Sequence, residues 1–183
     1  KACHAYAGRS AALTDVSLEI ARGSVTALAG LSGCGKSTLA GLLMRFFDPA
    51  SGKLYLEGRD YLSMPPEELR RHVMMVPQSV SLFTGSIADN LRIAVPDATD
   101  AQLLEVLDKV QLSGWLSTLP EGLDTPVGDA GAKLSGGQRQ KIGIARALLS
   151  PAEYIIFDEA TSSVDPQSEE EIWRCIAGLA KSR

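Results

Sequence analysis

The sequence predicts an α/β fold, and three stretches carry that prediction. Ser24-Val25-Thr26-Ala27-Leu28-Ala29 is an apolar run of strand length that leads through Gly30-Leu31-Ser32-Gly33-Cys34-Gly35-Lys36-Ser37 into the apolar helical stretch from Leu39 to Phe47. Strand, glycine-rich turn, helix is the order a phosphate-binding loop requires. Tyr154-Ile155-Ile156-Phe157 is a second apolar run, of the kind a parallel strand buried on both faces produces, and it ends in the adjacent carboxylates Asp158 and Glu159. From residue 79 the apolar residues recur at helical spacing instead, which sets 79–150 apart as a helical subdomain. Residues 1–78 and 151–183 then form the α/β core of one domain.

Each element has its own signal. The first residues read as a strand, and Val16, Leu18 and Ile20 alternate with polar neighbours as a strand with one buried face, ended by Gly23. Lys53-Leu54-Tyr55-Leu56 forms another short strand after the turn from Pro49 to Gly52. Pro65 to Arg71 opens a helix with Glu67 and Glu68 in its first turn and Arg70 and Arg71 in its last, which suits the macrodipole. Val73 to Val76 is a strand that delivers Gln78. Leu103, Val106, Leu107 and Val110 make an apolar helical stripe that Thr99 and Gln102 begin as a capping box. A further helix starts at Ser135 and runs through Ile142, Ala145 and Leu149. Asp165-Pro166 begins the last helix as N-cap and first helical residue, and the stripe Ile172, Cys175, Ile176, Leu179 makes Cys175 a packed thiol. His72 belongs to a solvated helix end.

The glycine-rich stretch has phosphate chemistry written into its residue types. Glycines let the backbone curl so that successive N–H groups of Gly30, Leu31, Ser32, Gly33, Cys34 and Gly35 face phosphate oxygens, and the helix that follows adds the positive end of its dipole. Lys36 neutralises the terminal phosphates, and Thr38 adds a phosphate contact. The Ser37 hydroxyl suits Mg²⁺, which prefers oxygen ligands. Ligands of open α/β sheets bind at the carboxyl ends of strands, so Asp158 is placed to hold Mg²⁺ through water and Glu159 to polarise an attacking water as general base. By chance, G-x-x-x-x-G-K-[ST] arises in roughly 1% of chains of this length and Leu134-Ser135-Gly136-Gly137-Gln138 in well under ~0.1%. Cys34, inside the phosphate loop, is the thiol whose alkylation is expected to block nucleotide binding.

Composition narrows the classes. A 183-residue chain with 45% hydrophobic residues is enough for one compact unit with a real core. No apolar stretch approaches the length of a membrane span, and no signal-peptide pattern opens the chain. A net charge of −4 leaves no electrostatic footprint for nucleic acid. Cys3, Cys34 and Cys175 have no C-x-x-C spacing and no histidine partners, which speaks against a cysteine metal site.

Taken together, these motifs closely resemble the ATP-binding domain of ABC ATPases, most specifically that of ABC exporters, over essentially the whole chain. The resemblance implies a P-loop NTPase (RecA-like) core with an ABC-type helical subdomain and an N-terminal antiparallel β region. It implies that Gln78 is the Q-loop glutamine that contacts Mg²⁺ and the attacking water, and that Tyr6 stacks on adenine. Leu134, Ser135, Gly136, Gly137 and Gln138 match the signature that closes over the γ-phosphate bound to the opposite subunit, and Ser162-Ser163-Val164-Asp165 resembles the D-loop. Two stretches are similar to the exporter branch: Leu82 to Asn90, after the Q-loop, and Thr125 to Gly131, the X-loop that touches coupling helices. There the usual Glu is Asp129, one methylene shorter.

The implied protein hydrolyses ATP with Mg²⁺ at the cytoplasmic face of a membrane. Its partners are a second such domain, in a homo- or heterodimer, and a transmembrane domain in the same polypeptide. The chain reads as an excised piece lacking the C-terminal strands and the switch histidine, which predicts weak ATP binding and poor hydrolysis by the fragment alone. Two rivals stay open: a soluble ABC ATPase uncoupled from transport, and a nucleotide switch that does not hydrolyse.

Overall fold

The computed structural model describes residues 2–5 and 11–180, and the chain divides into two compact units. The first takes in the chain up to Met74 together with Ala152–Ile156; the second comprises Met75–Pro151 and the stretch from Phe157 onward.

In the first unit, β1 (Ala2–Ala5) and β2 (Ala11–Val16) form an antiparallel pair with Ala2 opposite Val16 and His4 opposite Leu13. This is the antiparallel β region expected at the N-terminus. The His4 ring stacks on Phe47 at 4.4 Å, and Cys3 exchanges backbone hydrogen bonds with Ala50 and Ser51, which ties the turn after Pro49 to β1. Helix α1 (Lys36–Leu43) packs on β2 and buries Leu42. A hairpin of β3 (Tyr55–Leu56) and β4 (Arg59–Asp60) precedes α2 (Pro66–His72), whose acidic first turn and basic last turn are as the sequence predicts. Its last residue, His72, is not merely solvated, because its Nδ1 lies 3.0 Å from Glu153. Leu13, Leu42, Leu56, Tyr61, Met64 and Leu69 are among the buried apolar side chains of this unit.

The sequence differs from the structure most between residues 17 and 31. The strand expected over Ser24–Ala29 is not formed, and the alternation through Leu18 and Ile20 does not continue β2 past Val16. Leu18, Ile20, Val25 and Leu28 are all exposed. An apolar run becomes a strand only where neighbouring backbone groups complete a ladder. Within this stretch the Ser24 N–H donates to the Ala21 carbonyl, a tight turn rather than a ladder bond. The helix after the phosphate loop likewise ends at Leu43 rather than at Phe47, with Arg45 in a left-handed conformation.

The second unit is helical: α3 (Ile87–Arg92), α4 (Asp100–Lys109), α5 (Ser113–Leu116), α6 (Gly136–Leu149) and α7 (Pro166–Ala180). Helix α6 is its axis, with α3 and α4 packed against it. Ile142, Ile144, Ala145 and Ala147 of α6 are fully buried, as are Leu103 and Leu107 of α4. Each large side chain so buried contributes about 1.5–3 kcal/mol of transfer free energy. The caps fall where the sequence puts them. Thr99 with Gln102, and Ser135 with Gln138, form reciprocal capping boxes, and Asp165 accepts the Ser168 N–H at 2.9 Å before Pro166. Strands β5 (Val73–Val76) and β6 (Tyr154–Phe157) are neighbours in a two-stranded sheet.

Candidate active site

The phosphate loop lies in the first unit. Gly35 precedes α1 with φ of 97°, a left-handed conformation that glycine adopts without strain, and a Cβ there would stand 2.6 Å from the Ala12 carbonyl oxygen. Glycine is therefore obligatory at this turn. The Lys36 ammonium donates to the carbonyls of Gly30 at 2.9 Å and Leu31 at 3.1 Å, which draws the cation across the mouth of the loop, and it passes 3.9 Å from the Cys34 sulfur. Lys36, Cys34 and the carbonyls of Gly30 and Leu31 are thus gathered together. Ser37 and Thr38 follow in the first turn of α1, and Thr38 is buried. Tyr6, expected to stack on adenine, lies outside the described residues.

The carboxylates belong to the second unit, where β6 ends. The Asp158 N–H donates to the Val76 carbonyl at 3.0 Å, so the end of β6 is fixed beside the end of β5. Two residues beyond Val76, the Gln78 side chain reaches Glu159, with Nε2 donating to Oε2 at 2.8 Å. Glu159 itself has φ of 49°, uncommon for a residue with a side chain, and its carbonyl accepts the Ser162 N–H at 3.1 Å. Two residues matched to separate motifs, 81 positions apart, therefore share one hydrogen bond.

Gln140 was not among the sequence-derived site residues. It is buried on α6, and its amide donates to the Gln78 carbonyl at 3.2 Å and the Glu159 carbonyl at 3.5 Å. The available signal was its position: Gln140 shares a helix face with Ile144 and Ala147, and a polar side chain at an apolar recurrence implies a buried hydrogen bond.

Ser135, Gly136 and Gly137 open α6 against residues 162–165. A Cβ on Gly137 would meet the Ser163 carbonyl oxygen at 3.0 Å, and Lys141 donates to the Ser168 hydroxyl at 2.7 Å and stands 3.6 Å from Asp165. The Ser168 hydroxyl and N–H hold the Asp165 carboxyl down to about 2. Leu134 is buried, and its carbonyl accepts from Arg139 at 2.6 Å.

Two further stretches come together. Val127 N–H donates to Gly85 C=O at 2.9 Å and Ile87 N–H to Thr125 C=O at 3.1 Å, so residues 85–87 and 125–127 are laced backbone to backbone. The Thr84 hydroxyl reaches Asp129 at 3.3 Å. Beside this lacing, Phe83, Thr84, Asp89, Asn90 and Ile93 line a shallow groove in which Phe83 and Ile93 are more than half exposed. Among the described residues, no helix is long and apolar enough to cross a membrane.

Compared with known proteins, residues 13–162 match the family described as ABC transporter. The chain is 42% identical over 174 residues to the ATP-dependent lipid A-core flippase of Chromobacterium violaceum, covering 95% of this chain and 30% of the flippase. It is also 42% identical over 164 residues to the mitochondrial iron-sulfur clusters transporter of Saccharomyces cerevisiae, covering 90% of this chain and 24% of that protein. Among solved structures, a bacterial Atm1-family ABC exporter with ATP bound superposes over the whole chain with a TM-score of 0.95 at 35% identity, the chain covering 32% of it. The chain thus spans less than a third of the length of these relatives.

Proposed function

The chain belongs to the ABC transporter family, and on that premise we propose that it is the ATP-binding and ATP-hydrolysing motor domain of an exporter. The observation that carries the hydrolytic part is the Gln78–Glu159 hydrogen bond at the end of β6, which sets a carboxylate and an amide side by side where an attacking water is to be oriented. The likeness to the ATP-bound exporter supports nucleotide binding. The exporter-type stretches 82–90 and 125–131 support coupling to a membrane domain.

The residues present fit both ATP and Mg²⁺. The loop backbone, closed by Gly35 and lined by the Lys36 ammonium, offers N–H donors and one positive charge to the phosphates. Ser37, Asp158 and the Gln78 amide are hard oxygen donors of the kind Mg²⁺ takes. Because Gln78 Nε2 is engaged with Glu159, its Oε1 is the atom left for a cation. Mg²⁺, when bound, would neutralise charge building on the transferred phosphoryl oxygens. Glu159 accepts the proton of the water, and Gln78 holds the carboxylate in place while it does so.

The signature acts in trans. Ser135 Oγ accepts the Gln138 N–H at the start of α6, which leaves its own O–H to donate to a γ-phosphate on a facing domain. Two such domains, head to tail around two ATP, close when ATP bridges them and separate when hydrolysis removes the bridge. In the full-length protein this domain lies on the cytoplasmic face of the membrane. Its division into an α/β core over 1–78 and 151–183 and a helical subdomain over 79–150 belongs to the same reading.

The test is single-turnover ATP cleavage by the full-length protein and its Glu159→Gln variant. The expected result is a burst of ADP from wild type and an ATP-trapped dimer from the variant, with turnover reduced by about 100-fold or more. A variant with wild-type turnover excludes Glu159 as the base, and a wild type without cleavage leaves only a nucleotide-binding switch.

A further inference from the structure

The contacts of Gln140 have a direction that chemistry fixes. Both of its acceptors, the main-chain carbonyls of Gln78 and Glu159, can only accept, so the amide nitrogen must face them and its two hydrogens are divided between them. The residue is 3% exposed, so water does not compete for these bonds. Its acceptors are the backbones of the two residues whose side chains meet at 2.8 Å. Glu159 sits in the left-handed region, where its backbone is held by outside bonds rather than by its own preference, and Gln140 and the Ser162 N–H both donate to its carbonyl.

We propose that Gln140 is a positioning residue for ATP hydrolysis: from the second turn of the signature helix it pins the Gln78 and Glu159 backbones to α6, and so sets the side-chain pair that orients the attacking water. This rests on the reading of Glu159 as general base. Gln140 lies five residues after Ser135, so the helix that begins at the signature also holds the base of its own subunit. A misplacement of about 1 Å at a reacting group costs on the order of 100-fold in rate. Binding of ATP depends on the phosphate loop and is not touched by Gln140.

Full-length protein carrying Gln140→Met, which keeps length and loses both donors, tests this alongside Gln140→Asn, which keeps the amide and loses reach. Steady-state kcat and KM, ATP binding under Mg²⁺ chelation and thermal unfolding are measured for each, and Gln140→Met is combined with Gln78→Ala. The expected result is a kcat lowered about 10- to 100-fold with KM and ATP affinity within about twofold of wild type. In the double variant the two losses should fall short of adding, because both loosen the same Gln78–Glu159 pair. A merely structural role would lower unfolding temperature and affinity together and add to Gln78→Ala. The proposal is overturned if a folded Gln140→Met or Gln140→Asn keeps kcat within about twofold of wild type, or if the effects add. If wild type is inactive, or Glu159→Gln stays active, the underlying assignment of the base fails instead. An inactive Glu159→Gln beside a fully active Gln140 variant sinks this inference alone.

Discussion

Arg146 of α6 clasps Asn90 of α3 by both backbone and side chain: its Nε donates to the Asn90 carbonyl at 2.7 Å and a terminal nitrogen to Asn90 Oδ1. The other terminal nitrogen reaches the Ser81 carbonyl at 3.1 Å. Asn90, fully buried, accepts the Phe83 N–H and donates to the carbonyls of Phe83 and Ser86, each at 2.9 Å. Burial lowers the Arg146 pKa, but a guanidinium stays ionised. One charged side chain thus fixes the chain from Ser81 to Asn90, where loop structure would otherwise be loose.

Arg146→Met should destabilise the protein by about 3 kcal/mol, because it strands the two buried oxygens of Asn90 and the Ser81 carbonyl as well as losing charge-assisted bonds. Arg174→Met, which removes an exposed pair with Glu170, should cost no more than about 0.5 kcal/mol. Urea unfolding of both variants checks the contrast; equal costs would mean that Arg146 is not the anchor of this segment.

Gly143→Ala should also destabilise, although alanine is the better helix former by about 1 kcal/mol. A Cβ at Gly143 would lie 2.5 Å and 2.9 Å from the two Val80 methyls and 3.3 Å from Val80 Cβ, so rotating the valine does not clear it. Overpacking of about 1–3 kcal/mol opposes the propensity gain. The double variant Gly143→Ala with Val80→Ala should recover stability; a Gly143→Ala single variant more stable than wild type would show that the Val80 segment yields freely.

Lys36→Ala should lower ATP affinity by about 10- to 100-fold, the scale of a lost charged contact, and leave thermal unfolding of the nucleotide-free protein unchanged. Its ammonium is half-buried and, among the described residues, bonded within its own loop. Calorimetric titration with ATP measures the first, and an unfolding temperature that falls markedly would assign the lysine a structural role instead.

Asp165 should make the start of α7 acid-sensitive in a narrow window. Hydrogen bonds from the Ser168 hydroxyl and N–H depress its carboxyl from 3.8 to about 2, so the folded state binds this proton more weakly than the unfolded chain. The stabilisation is present above pH 3.8 and is lost as pH falls through about 2. The Ser168 amide resonance followed against pH should titrate near the lower value, and Asp165→Asn, which keeps a cap, should abolish the titration. A midpoint at or above 3.8 would mean the bond is not formed in solution.

What the sequence made legible was local. Ser135 with Gln138, Thr99 with Gln102, and Asp165 before Pro166 are signals whose partners lie three residues away, and the chain honours each of them. The Ser86–Asp89 capping box of α3 carries the same spacing and could have been read equally well. Gln140 with Gln78, and Arg146 with Asn90, were beyond reach, since residues 62 and 56 positions apart meet only through tertiary packing. The run Ser24–Ala29 failed for the converse reason. Its apolar pattern states a preference for a sheet interior, and a preference does not supply the neighbouring strands that would realise it.

The lacing of residues 85–87 to 125–127 runs through main-chain atoms alone. Peptide groups are the same whatever side chains they bear, so apart from Gly85, whose φ of 145° favours glycine, and the buried Val127, this joint places little demand on residue identity. Thr84, Phe83 and Asp129 can therefore change from one relative to the next, to suit whatever faces them, while the two loops keep their register. A region that must stay fixed in shape but vary in chemistry is best fastened in this way, and a survey of natural variants would find tolerance there beside constraint at Asn90 and Arg146.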